Sequence, residues 1–280
     1  MDKLAISIII PAYNEERYLG ACLDAIAALT LQPYEVVVVD NASSDRTAEV
    51  ARRYPFVRLV AEPRRGRAFA QQTGFDVATG TILARIDADA IVPADWTQQI
   101  MDYFTQPGAL QTAWTGGPRF YNVRFPRLTG ALYVWIASQF NRLIVGHPSL
   151  WGSNMALPAA LWHDIAITVC QQADIHEDLD LAIHLHRHGY AIHPDKHVQV
   201  GVQLRPVFAS PAQLWAYLEL WPRTVRIHGL WTWVLCWPVN LWLFVSAPFF
   251  GISERIARLF GRKPLDTYRE ERAQKLTSST

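Results

Sequence analysis

Residues 4–10 form an apolar, largely β-branched run, interrupted only by Ser7, that ends at Pro11, the pattern of a strand buried on both faces. Beyond it the period lengthens. Leu19, Leu23 and Ile26 recur at helical spacing within residues 15–29, and Asn14 is placed to cap that helix. The alternation then repeats. Residues 35–39 read as a second buried strand ending at Asp40, Ser43 or Ser44 as the cap of a second helix, and residues 56–60 as a third strand. Arg64-Arg65-Gly66-Arg67 leads into a helix over 68–78, Gly80 breaks it, and residues 81–86 make a fourth strand. This order predicts an α/β fold, with right-handed βαβ units on a mostly parallel sheet and helices on both faces. Downstream, residues 111–120 have a strand-like portion interrupted by Gly116-Gly117-Pro118. Residues 128–145 are helical and aromatic, which suits a cover over a binding site, a membrane-proximal element or an ordinary packing helix. A helix opens at Glu177 and runs to His188, where Gly189 stops it, with Leu181 and Leu185 facing inward.

The polar residues have a pattern of their own. The clusters 11–15, 40–45, 64–67 and 87–89 each follow a strand, so a parallel sheet brings all four to one edge, where open α/β folds bind ligands. Asp87 and Asp89 stand one residue apart directly after the fourth strand. If that segment stays extended, both project to one side and can converge on a hard cation such as Mg2+ or Mn2+, or on a set of hydroxyls. A plain turn is the alternative, since Asp favours turns; the position among the four clusters speaks for a site. No G-x-G-x-x-G follows the first strand and no G-x-x-x-x-G-K-[ST] occurs, which weakens dinucleotide and P-loop readings.

From residue 6 to about 200 the chain resembles the inverting glycosyltransferases of family 2. The resemblance rests on Ile10-Pro11-Ala12-Tyr13-Asn14-Glu15-Glu16, on Val38 to Thr47, on Asp87-Ala88-Asp89, on Gly152-Ser153-Asn154-Met155-Ala156 and on Glu177-Asp178-Leu179-Asp180-Leu181, in that order and spacing. It implies a GT-A fold, a nucleotide-diphosphate sugar as donor (a UDP-sugar most often) and a divalent cation, Mg2+ or Mn2+, bridging the second carboxylate and the pyrophosphate. By position, Pro11, Ala12, Tyr13 and Glu15 would line the nucleoside pocket and Asp40 would bond the base. Asp87 would meet ribose or sugar, and Asp89 would hold the metal. Arg67, with Arg64 as a second candidate, would approach the pyrophosphate, while Arg65 fits a solvated loop. Gly152, Ser153 and Asn154 would border the donor sugar. Asp178, or failing it Glu177, would deprotonate the acceptor hydroxyl, although acids in a first helical turn also satisfy the helix dipole. His197 falls near where some GT-A enzymes take a third metal ligand. Residues 1–110 would be the nucleotide-sugar half and 111–205 the acceptor half of a catalytic domain, followed by a helical, membrane-associated region over 206–280. Arg205-Pro206 and 221–224 fall on the acceptor side, and the absence of a full Q-x-x-R-W points to single-sugar transfer. Direct transfer to a polyprenyl phosphate is the close alternative, and nucleotidyl transfer a more distant one.

Composition refines this only in places. A net charge of +1 gives no bulk reason to expect nucleic acid as a partner. Cys22, Cys170 and Cys236 match no zinc or redox spacing and suit a reducing compartment, and the start of the chain shows no export signal. His184 and His188 stand four apart on one helix, but without H-E-x-x-H they read as a polar helix face. The C-terminal quarter changes the picture more. No charged residue occurs from Gly229 to Ser253, and six of the eleven tryptophans lie between Trp215 and Trp242. Pro238, Asn240 and Pro248 interrupt the run, and basic residues flank both sides, Arg223 and Arg226 before and Arg255, Arg258, Arg262 and Lys263 after. A kinked, re-entrant or in-plane anchor over about 230–251 on the cytoplasmic face of a membrane is therefore expected ahead of a full span or a buried helix. The acceptor would then be a glycolipid or cell-envelope glycan, and residues 252–260 a basic interfacial helix.

Overall fold

The computed structural model describes residues 4–120, 126–203 and 210–246. In chain order its elements are β1 (Ile6–Ala12), α1 (Leu19–Ala27), β2 (Glu35–Asp40), α2 (Thr47–Arg52), β3 (Val57–Ala61), α3 (Arg67–Val77), β4 (Ile82–Arg85) and α4 (Trp96–Phe104). Then follow β5 (Thr112–Phe120), α5 (Pro126–Val145), β6 (Met155–Pro158), α6 (Ala159–Ile165), α7 (Glu177–Arg187), β7 (Ala191–Val202), α8 (Pro211–Leu218) and α9 (Leu220–Ile227). The seven strands form one sheet in the order β3-β2-β1-β4-β6-β5-β7. Only β6 opposes its neighbours; β1 to β4 pair in parallel, and β5 pairs in parallel with β7. Ile8, Ile9 and Ile10 alternate between the two faces of β1 and all are fully buried, so both faces are covered. On one face Phe75 of α3 meets Trp162 of α6 edge-to-face, ring centres 5.1 Å apart, over Ile9 and Leu83. Gly74 lets α3 lie close to β1, since a Cβ there would come within 2.4 Å of Ile9 Cγ2.

After β1 the chain steps outward through β2 and β3, then returns to β4 on the other side of β1. That reversal opens a crevice beyond the carboxyl ends of β1 and β4. Local details there differ from the sequence expectation. Pro11 does not end β1, which continues to Ala12 opposite Asp40. The β4 ladder stops at Ile9↔Arg85, and Ile9 O accepts its bond from the β4 side while Ala12 O accepts Asn41 N from the β2 side. By alternation the missing N–H of Pro11 falls where β4 has already ended, so no ladder bond is lost. Asn14 does not cap α1, which begins at Leu19; it adopts a left-handed φ of 54°, which Asn tolerates. Ser43 and Ser44 do not cap α2 either. Asp45 does that work, accepting from Thr47 N at 2.9 Å and Thr47 Oγ1 at 2.5 Å.

The chain divides into two compact units. One comprises residues 1–203 with 220–234, the other 204–219 with 235–280. In the first, α9 is tied to the segment before α7 and to α5: His176 N donates to Thr224 Oγ1 at 2.8 Å and Trp221 Nε1 to Asn141 Oδ1 at 3.1 Å. In the second, Leu214 and Leu218 of α8 pack with Leu243 and Phe244, and Asn240 Nδ2 donates to Leu218 O at 2.8 Å. Among the described residues no helix is long and apolar enough to cross a membrane. Residues 247–251 of the expected anchor, the interfacial helix over 252–260 and Arg205 lie outside the described residues.

Candidate active site

Arg85 is the last residue of β4, and only 2% of it is exposed. A buried guanidinium must be paired, because an unpaired charge there would cost far more than the fold can supply. Three carboxylates surround it. Nη1 lies 2.7 Å from Asp178 Oδ1, and Nη2 lies 3.1 Å from Asp87 Oδ1 and 3.2 Å from Glu177 Oε1. Asp178 is further held by Gly152 N, which donates to its Oδ2 at 2.9 Å. Gly152 has to be glycine: a Cβ there would sit 1.3 Å from Arg85 Nη1 and 2.2 Å from Asp178 Oδ1. Three segments far apart in sequence, 85–87, 152 and 177–178, therefore meet at one cation.

Three acids around one base cannot all ionise cheaply. Burial pushes the Asp178 carboxyl up to about 7, against the pull of Arg85 and with repulsion from Glu177 and Asp87 adding to the rise. Glu177 moves the other way. Burial would raise it, but Arg85, Arg67 and His176 outweigh that and hold it below the ordinary carboxylate range. Two charged atoms of the cluster, Arg85 Nε and Glu177 Oε2, are buried without a hydrogen-bond partner. Arg85 was not singled out from sequence as a site residue. The signal was a single charge closing an otherwise apolar strand, Ile82-Leu83-Ala84-Arg85.

The neighbouring loops carry the expected donor-side residues. The segments after β1 and β2 interlock: Asn14 N donates to Ser43 Oγ at 3.0 Å, Ser44 N to Asn14 Oδ1 at 2.8 Å and Glu15 N to Thr47 Oγ1 at 2.7 Å. Pro11 and Ala12 close β1, Asp40 closes β2 and accepts from Ser43 N at 3.2 Å, and Tyr13 stands 40% exposed beside them. Arg65 is not simply a solvated loop residue: its guanidinium stacks 4.4 Å over the Tyr13 ring. Arg64 is committed elsewhere, bonded to both oxygens of Glu62 at 3.0 and 2.8 Å and lying 4.6 Å over the Phe69 ring. Arg67 opens α3, and its charge acts on both Glu177 and His176.

Other expectations meet a different geometry. Asp87 and Asp89 do not share one side of an extended segment, because Ala90 N donates to Asp87 O at 2.9 Å and turns the chain. The Asp87 side chain is 44% exposed, whereas Asp89 is buried at 4%. Ser153 is buried, and Asn154 is wholly buried with its side-chain amide spent inside the core. Trp96 Nε1 donates to its Oδ1 at 2.9 Å, and its Nδ2 donates to Gly117 O and Val198 O at 3.2 and 3.1 Å. The structure thus gives Asn154 a role in joining β5, β6 and β7. His197 is exposed on β7, its amide bonded to Asp195 Oδ1 at 2.8 Å. His184 is not on an exposed polar face but buried, and it turns towards Asp180 and His228. Arg223 pairs with Asp174.

The family model of Glycosyl transferase family 2 matches residues 7–156. The chain belongs to this family. Among curated family 2 relatives, glycosyltransferase AglE of Haloferax volcanii is 36% identical over 101 residues, 34% of this chain and 33% of AglE. An uncharacterized glycosyltransferase of Mycobacterium tuberculosis is 43% identical over 90 residues, 32% of this chain and 39% of that relative. The matched segment thus spans about a third of the length of these relatives. A mannosyltransferase from Pyrobaculum calidifontis, solved with GDP-Man and Mn2+, superposes with a TM-score of 0.62 at 23% identity, over 97% of this chain and 84% of that one. S. aureus TarS 1-349 with UDP-GlcNAc gives 0.56 at 16% identity, over 79% of this chain and 66% of that one. At these identities the likeness shows the fold, a GT-A-like mixed α/β architecture.

The family 2 match covers the loops after β1, β2 and β4 and the Gly152 turn, but stops before Glu177 and Asp178. Those two acids are joined to the matched part through Arg85 and the Gly152 amide. A divalent cation at this strand end would find hard carboxylate oxygens on Asp87, which is exposed with one oxygen on Arg85, and on Asp89, which is buried; the two would have to converge, and phosphate oxygens would complete such a site.

Proposed function

We propose that the protein transfers a sugar from a nucleotide-diphosphate sugar, a UDP-sugar first, to an acceptor hydroxyl with inversion. The observation that carries this reading is the Arg85 cluster, which sets a carboxyl raised to about 7, Asp178, beside the family 2 donor loops. Asp178 would take the proton of the acceptor hydroxyl as that oxygen attacks the anomeric carbon. Arg85 and the Gly152 amide hold both of its oxygens and so fix its direction. Tyr13 with Arg65, and Asp40, would receive the nucleoside, and Arg67 the pyrophosphate. Asp89, with Asp87, would hold Mg2+ or Mn2+, which when bound would offset the charge of the departing diphosphate. The buried, unpartnered Arg85 Nε and Glu177 Oε2 support a ligand that completes the site.

One observation favours the alternative of a polyprenyl-phosphate acceptor: both Asp178 oxygens are already engaged, and an ionised phosphate needs no base. A membrane surface is the proposed location, on the cytoplasmic face. It is supported by the exposed side chains of Trp231, Leu241, Trp242 and Val245, which are 58–72% accessible. The acceptor would accordingly be a glycolipid or a cell-envelope glycan.

The test is a panel of nucleotide sugars with manganese, reading donor hydrolysis and the nucleotide released, with and without lipid extract. Release from one donor that disappears with chelator and in Asp89→Ala supports the reading. Activity untouched in Asp89→Ala overturns the metal assignment, and lipid-dependent transfer untouched in Asp178→Asn turns the reading to the phosphate acceptor.

A further inference from the structure

The face of α7 that carries Asp180 and His184 turns towards His228, just beyond the end of α9. Asp180 and His184 stand one helical turn apart on α7, and Cys170 lies in the segment leading into that helix. One ligand atom from each of Cys170, Asp180, His184 and His228 lies within 4.8 Å of every other. In a tetrahedral zinc site, with bonds of about 2.0–2.3 Å, ligand atoms sit roughly 3.3–3.8 Å apart. Side-chain adjustments on the order of 1 Å would bring the four into that shape.

The local bonding is incomplete in a way that points to a cation. His228 Nε2 and His184 Nε2 both face one oxygen, Asp180 Oδ1, at 2.8 and 3.5 Å. Only His228 makes the hydrogen bond. His184 Nε2 is buried without a hydrogen-bond partner on a side chain 9% exposed. Asp180 Oδ2 is already held by Cys170 N at 3.1 Å, which leaves Oδ1 to face the two imidazoles. We propose that Cys170, Asp180, His184 and His228 bind one structural zinc ion that clamps α9 to α7.

A thiolate, two imidazoles and a carboxylate form a donor set that zinc prefers, and one that magnesium and manganese do not. Arg187 defines the proton balance. Its Nη1 lies 3.0 Å from His228 Nδ1 and can only donate, so in the metal-free protein the ring proton is on Nε2, facing Asp180. Zinc at Nε2 moves that proton to Nδ1 and gives up this one hydrogen bond. Arg187 Nη2 keeps its bond to His228 O at 2.6 Å. The Cys170 thiol proton goes to solvent as the thiolate binds. Asp178 is two residues from Asp180, so the ion would also steady the helix that presents the proposed base, and the site stands whether or not that role does.

The full-length protein, purified without chelator, is expected to carry about one zinc per chain by elemental analysis. A strong chelator should remove it and lower Tm by about 5 °C or more. Cobalt added to the stripped protein should show tetrahedral visible bands with a thiolate charge-transfer band. Cys170→Ser should lose that band, and His184→Ala the bound zinc, whereas Asp89→Ala should keep both. The readout is metal content and spectrum, not transfer, so failure of the transferase reading would leave it unchanged. Should a variant not fold, the wild-type cobalt spectrum still decides, because only a thiolate ligand gives the charge-transfer band. Wild-type protein that takes up no zinc from a zinc buffer, or that shows no thiolate band with cobalt, overturns the proposal. So does zinc lost in Asp89→Ala but kept in Cys170→Ser.

Discussion

At the scale of the residue, Gly152 shows how little room the cluster leaves. Its amide fixes Asp178, and the space that a methyl group would need is filled by Arg85 Nη1 and both Asp178 oxygens. Gly152→Ala must therefore push Arg85 or Asp178 aside by more than an ångström. Misplacement on that scale costs on the order of 100-fold in rate, and overpacking costs about 1–3 kcal/mol of stability. A fall of about that size in kcat/KM is expected, with a circular-dichroism spectrum like that of the parent. Gly20→Ala is the control, since a Cβ there meets Tyr54 Oη at 3.6 Å and Val50 Cγ1 at 3.9 Å, ordinary contacts on α1. It should leave kcat/KM unchanged, and wild-type rates in Gly152→Ala would show that Asp178 is not held as described.

At the scale of the element, the turn between β3 and α3 is built by buried polar groups. Asn41 bonds Glu62 O, Arg64 O and Gly66 N, at 3.2, 2.6 and 2.8 Å, and the Glu62 carboxylate takes Arg64 and Thr73. The Arg64 hydrogen bonds lead in bringing the Glu62 carboxyl down to about 2, and Thr73 adds to them. A depressed folded-state pKa stabilises above the unfolded value, near 4.5, and that stabilisation is lost as pH falls through about 2. Because Arg64 is half exposed, solvent screens the pair, and only part of that shift appears as stability. Denaturant unfolding at pH 6 and pH 3 should show Glu62→Gln less stable at pH 6, with the gap narrowing at pH 3; a gap that does not change with pH would exclude this role. Little of this turn was legible in the sequence. The strands were, because runs such as Val36-Val37-Val38-Val39 read the same whatever surrounds them. The starts of α1 and α2 were not, although that of α7 at Glu177 was: Asn14, Ser43 and Ser44 have the chemistry of caps, but bonds between two loops some thirty residues apart claim them instead. The order of motifs revealed Asp178, while Arg85, whose partners Glu177, Asp178 and the Gly152 turn are distant in the chain, was missed.

At the scale of the whole molecule, the first compact unit does not end with its last strand. Residues 220–234 belong to it, although residues 204–219 before them belong to the other unit. The sequence places a boundary near residue 205, ahead of the tryptophan-rich stretch that begins at Trp215. What draws α9 back is polar and specific. Thr224 is wholly buried and caps the approach to α7 through His176 N, His228 reaches Asp180, and Trp221 reaches Asn141. A Trp221 ring centre also lies 4.0 Å from that of His176, next to Glu177. Removing these partners would take the His228 bond from Asp180 Oδ1 and the Thr224 bond from the His176 amide, at the helix that carries Asp178, and each buried polar group so stranded costs about 1–3 kcal/mol. A chain ending after Gln203 is therefore expected to unfold at markedly lower denaturant than one ending after Val234, and to lose donor hydrolysis. The chain ending after Val234 keeps every one of those bonds and should keep hydrolysis, whatever happens to its attachment to vesicles. Equal stability of the two truncated chains would mean that α9 contributes nothing to the unit it completes.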